Sequence, residues 1–96
     1  MKLINEIRKA IDVVRVRIYA GRICGSTYKV FRMLDNAGCI NQIEDNTKAI
    51  IEFIDECFED AKKMYPDKND SEWKQIKFAL KPVMRFRNKL EKLIEV

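Results

Sequence analysis

Four basic side chains recur every seven residues early in the chain: Arg8, Arg15, Arg22 and Lys29. On a helix this spacing lines them along one face, two turns apart. Asp12, Tyr19 and Ser26 each follow an arginine by four residues and share that face. Arginine grips phosphate oxygens through paired N–H bonds, and a tyrosine ring stacks on a nucleobase. The chemistry on offer is recognition of an anionic ligand, nucleic acid or nucleotide, by Arg8, Arg15, Tyr19, Arg22, Ser26 and Lys29. The plainer reading is a solvated face, or one paired with the acids of residues 44–60. A second possible basic face runs Lys74, Lys77, Lys81, Arg85, Lys89, Lys92. It is mostly lysine without interleaved aromatics, which suits unspecific phosphate contacts that weaken with salt; a solvated outer face is its plainer reading.

Other chemistries find little support. The chain has no histidine, so the usual general base is missing and a cysteine nucleophile lacks its partner. Cys24, Cys39 and Cys57 form no Cys-x-x-Cys pair, which argues against a zinc site. No glycine-rich phosphate loop of known spacing occurs, and no short helix-turn-helix pattern is spelled out. Glu52, Asp55, Glu56, Glu59 and Asp60 have the helical spacing of carboxylate metal sites, but such sites need acids or histidines from a second helix. We therefore expect no enzyme, no metal and no cofactor. Arg87 is the odd residue. It falls inside an apolar stripe between Val83 and Leu90, so either its head snorkels to water or it pairs with Glu52, Asp55 or Glu56, or it lines a ligand pocket.

Helices must position these groups. The 96 residues include three Gly and two Pro, too few for a turn-rich β fold, and the length suits one domain, residues 1–96. Leu3, Ile7, Ile11, Val14 and Ile18 keep helical spacing. A competing hairpin, residues 13–19 with 27–33, is suggested by the alternation Val14-Arg15-Val16-Arg17-Ile18. Gly21 and Gly25 either break the first helix, with Ser26 capping a second, or lie four apart on one apolar stripe that continues to Tyr28. We favour continuity from Lys2 to Asn36, because both the apolar and the basic stripe pass through the glycines in register. Asn36-Ala37-Gly38 is a stop with Gly38 in the left-handed cap.

The second long helix spans Ile40 to Tyr65, with Asn41 and Glu44 as a capping box and Ile43, Ile50, Ile54, Cys57, Ala61, Met64 as its core stripe. Cys57 reads as a small core residue. The last helix runs from Glu72 to about Ile94 behind an Asp70 or Ser71 cap, over Trp73, Ile76, Leu80, Val83, Leu90 and Ile94. Pro82 predicts a kink or break near Phe78 to Lys81.

Charge is unevenly spread. Residues 1–40 hold eight Lys and Arg against three Asp and Glu, residues 41–72 four against ten, and residues 73–96 seven against two. Opposite-sign helices packing side by side explain this order; a basic face left open to an anionic partner is the sharper explanation. The charged N-terminus lacks the apolar run of an export leader, and no apolar run is long enough to cross a bilayer. A cytoplasmic protein with reduced cysteines and no membrane partner is expected.

The fold expected is all-α: a small bundle of three long helices, four if the chain breaks at Gly21–Gly25, self-associating as a homo-oligomer through its first helix. The function expected is a non-enzymatic, regulatory binding protein whose basic Arg/Tyr face takes nucleic acid or a nucleotide. The alternative is a protein–protein inhibitor or adaptor, phage-encoded or of the immunity type, docking on an acidic partner protein.

Overall fold

The structure, a computed structural model, describes residues 2–95. It contains three α-helices, α1 (Lys2–Asn36), α2 (Glu44–Met64) and α3 (Ser71–Ile94), with a 3-10 turn at Ile40–Ile43 before α2. Among the described residues there is no strand, and the stretch that alternates around Val16 is helical. Among the described residues no helix is long and apolar enough to cross a membrane.

α1 passes through Gly21 and Gly25 without interruption. It ends where the sequence stops it. Gly38 takes φ 75°, its amide donates to the Asp35 carbonyl, and the Cys39 amide donates to the Leu34 carbonyl. These two bonds use up carbonyls that the last helical turn leaves free. α3 starts on Asp70, whose carboxylate accepts from the amides of Glu72 and Trp73 at 2.8 and 3.3 Å. The expected capping box on α2 does not form. The 3-10 turn takes up Asn41, Ile43 stands at the N-cap position, and no side chain caps it.

α3 is the middle of the molecule. It runs parallel to α1, with Arg17 beside Phe78, Gly21 beside Pro82 and Tyr28 beside Lys89, a constant offset of 61 residues. It runs antiparallel to α2. No Cα of α1 lies within 8 Å of one in α2 among the described residues. Phe31 of α1 meets Phe86 of α3 edge to face, ring centres 6.3 Å apart. α2 buries Thr47, Ile51 and Ile54, with Phe58 half-buried, on one stripe toward α3. Leu90 is fully enclosed where both layers and the 3-10 turn converge.

Two expected core stripes are displaced. On α2, Cys57 and Met64 are exposed. Cys57 borders an open apolar hollow with Phe53, Ala61, Leu80 and Val83. Ile43, Ile50 and Ile54 of the expected stripe do pack in the core, and beyond them the inward face passes to Phe58 in place of Cys57. On α1, the N-terminal stripe of Ile7, Ile11, Val14 and Ile18 stays exposed, and the buried contacts with α3 fall further along, at Cys24, Tyr28 and Phe31.

Pro82 does not break α3. Proline removes the amide that would bond to the Phe78 carbonyl. Here Arg17 Nη1 donates to that carbonyl at 3.2 Å, and the guanidinium lies 4.1 Å from the centre of the Phe78 ring. The side chain of one helix thus satisfies the backbone gap in another.

Candidate anion-binding surface

A groove of about 670 Å³ runs between α1 and α3. Val14, Ile18, Gly21, Phe78 and Pro82 form its apolar floor, and Arg17, Arg22, Arg85 and Lys89 stand around it. Two of these cations are held in place by aromatic rings, Arg17 over Phe78 and Lys89 at 5.0 Å from the centre of Tyr28. A ring face attracts a cation while leaving its outer N–H groups free to bond.

The sequence-derived residues divide around this groove. Arg22 lines it from α1 and Arg85 from α3, so the two basic faces read separately from the sequence meet here. Arg8, Arg15, Tyr19, Ser26 and Lys29 are exposed and do not line it. Their helical register places them on the edge of α1 turned away from α3. Lys77 and Lys81 border a neighbouring hollow with Phe58, Trp73 and Met84, while Lys74 is exposed outside it.

The pairing of opposite charges is sparse. Among the described residues the ion pairs are Lys48 with Glu44, Lys62 with Glu59, and Arg87 with Asp55 and Glu91. The acids of α2 do not reach the basic edge of α1, because α3 stands between them. That removes the expected pairing of the α1 arginines with residues 44–60.

Arg87 does not snorkel into water. Its Nε and Nη2 donate to the two carboxylate oxygens of Asp55 at 2.9 and 3.0 Å, and Nη1 donates to Glu91 and, at 3.3 Å, to Asn88. The bond to Asp55, ahead of the loss of hydration, pushes the already high guanidinium pKa further up. This arginine fastens α2 to α3 and is not available to a ligand.

Arg17 and Tyr28 were missed as members of the site, whereas Lys89 was read as part of the second basic face. Pro82 signals a carbonyl left without its backbone donor one turn back, which water or any nearby side chain can fill, so the sequence did not point to Arg17. Burial pushes the Cys24 thiol up in pKa at the groove's far end, the opposite of what a nucleophile needs. Among the described residues no three His, Cys, Asp or Glu side chains converge as metal ligands. The chain matches no protein-family model, no curated protein and no solved structure, so its reading rests on these residues alone.

Proposed function

We propose that this is a non-enzymatic binding protein that holds an anionic ligand, nucleic acid ahead of a free nucleotide, on the basic edge of α1 and the adjoining rim of α3. The observation that carries this reading is the row Arg8, Arg15, Arg22 and Lys29, exposed and without an acidic partner among the described residues. At 1.5 Å per residue the row is about 30 Å long. That length suits a polyanion with many phosphates better than a single nucleotide. Arg85 and Lys89 extend the surface across the groove, and Tyr19, exposed beside the row, supplies a stacking ring. In this reading the protein works as a homo-oligomer, because α1 leaves apolar side chains uncovered on two sides, Ile7, Ile11 and Ile18 on one and Val16, Ile23 and Val30 on the other.

Fluorescence anisotropy of a labelled single-stranded oligonucleotide, titrated across salt, tests it. Binding is expected to weaken steeply with salt. The double substitution Arg15→Ala and Arg22→Ala is expected to lower the slope of log K against log salt by about 1.4, as two lost phosphate contacts on a single strand should. Unchanged affinity and slope would sink the reading.

One observation favours docking on an acidic protein instead. The groove floor is apolar, and phosphate backbones make no use of Phe78 or Pro82, whereas an amphipathic acidic helix would. Capture of a partner that survives nuclease treatment and is lost on Phe78→Glu would select this alternative.

A further inference from the structure

α1 outruns its own chain. α3 begins at Ser71, opposite Ala10 at the constant offset, so the first two turns of α1 have no helix beside them. Ile4, Ile7, Ile11, Val14 and Ile18 follow one another at alternating steps of three and four. This is the a/d pattern of a coiled-coil seam. All five are 46–51% exposed. The same seam continues through Gly21 and Tyr28, and there α3 covers it. Ile4 and Ile7 lie beyond the start of α3, while Ile11, Val14 and Ile18 run alongside it and stay half exposed, Val14 and Ile18 on the rim of the α1–α3 groove.

The molecule as a whole exposes more surface than a compact monomer of its mass, by an amount that subunit interfaces bury. The accessible surface is 7473 Å², whereas a compact monomer of 11.4 kDa exposes about 5,800 Å². The excess of about 1,700 Å² lies within the roughly 1,000–2,500 Å² that each subunit of an obligate homodimer buries. The radius of gyration, 16.2 Å, likewise exceeds the about 12.5 Å of a compact chain of this length.

We propose that the N-terminal half of α1 is the interface of a two-fold homodimer in which the two α1 helices run parallel and in register along Ile4, Ile7, Ile11, Val14 and Ile18. Charge sets the direction. Arg8, Arg15 and Arg22 flank the seam on one side, and Leu3, Ala10 and Arg17 flank it on the other. In a parallel pair each flank faces the opposite flank of the second copy. Arg8 then lays its stem over Leu3, and Arg15 over Ala10. Only Arg22 meets an arginine, Arg17, and that one is turned onto Phe78. In an antiparallel pair the arginine rows oppose each other, a like-charge clash along the whole seam. The inference rests on the self-association in the reading above and not on its anion binding.

Sedimentation velocity of the whole chain, with the circular dichroism of the same samples, tests it. The natural protein is expected at twice 11.4 kDa. Ile7→Lys with Ile11→Lys is expected at the monomer mass with its helical signal kept. A natural protein that sediments as a monomer overturns the proposal, as does a dimer that both lysines leave intact. Should the double variant fail to fold, Ile4→Cys in the otherwise natural chain decides. Oxidation followed by mass mapping of the digest is expected to give a 4–4 disulfide between copies, and a dimer without that link overturns the parallel seam. A monomer that binds the oligonucleotide with the salt slope described would refute the dimer alone, and a dimer that ignores the oligonucleotide would refute the anion-binding reading alone.

Discussion

Arg87 occupies a position where helical spacing calls for an apolar side chain, and it is half-buried with three acceptors around it. A charge taken out of water is tolerable only when its donors are spoken for. Its two bonds to Asp55 are also, among the described residues, the one ion pair joining α2 to α3. Replacing it with methionine keeps the stem and removes the bonds. Arg87→Met is expected to cost about 2 kcal/mol and lower Tm by roughly 10 °C, read by thermal denaturation; a change of a degree or less would show the pair to be incidental. The sequence marked this residue as needing a partner and narrowed the partner to three acids. It could not choose Asp55 among them, because that choice depends on how α2 is rotated against α3. The same rotation decides Cys57. One step around the helix moves it from the core to the rim of a hollow, and no local signal separates Thr47, Ile51, Ile54 and Phe58 from the neighbouring stripe.

At the scale of elements, what is local was legible. The stop at Gly38, the Asp70 cap and the unbroken α1 follow from backbone needs that a few neighbouring residues meet. The donor that fills the carbonyl freed by Pro82 was not legible, because it sits 61 residues away in Arg17. This gives a double-mutant test. Arg17→Ala is expected to cost about 1.5 kcal/mol in the natural chain, from the carbonyl bond and the ring contact together. In a Pro82→Ala background the new amide bonds the Phe78 carbonyl itself, so the same substitution is expected to cost about 1 kcal/mol less. Equal costs in both backgrounds, by chemical denaturation, would mean that the carbonyl bond contributes nothing. Gly25 has no atom of a neighbouring element within 4 Å of where a Cβ would stand. Gly21 packs near Pro82, whereas Gly25 therefore serves no close helix contact within the chain.

The whole molecule measures 55 × 25 × 15 Å, a slab little more than one helix thick. The sequence announced all-helical structure through its spacing and its few breakers. The layering, with α3 in the middle and α1 out of reach of α2, was not announced, since all three helices carry apolar faces and nothing local ranks them. So thin a slab encloses few side chains, and in the proposed dimer much of its stability is expected to come from the second copy. Tm is accordingly expected to rise with protein concentration, by about 3–5 °C per tenfold for a chain of this size. A Tm independent of concentration over two decades would show that one copy suffices.

The parallel pairing of the first helix with the last also sets an order in time. α1 is synthesised before α2 and α3, and no Cα of α2 comes within 8 Å of one in α1 among the described residues. The residues it packs on follow 61 positions later. At about 5–20 residues per second this is a wait on the order of 3–12 s. During that wait α2 and α3 pair off locally as they emerge, while α1 has only the 3-10 turn of its own chain to lie against. Two nascent chains on one message would present these bare helices side by side, so assembly between copies can begin before either chain has finished folding.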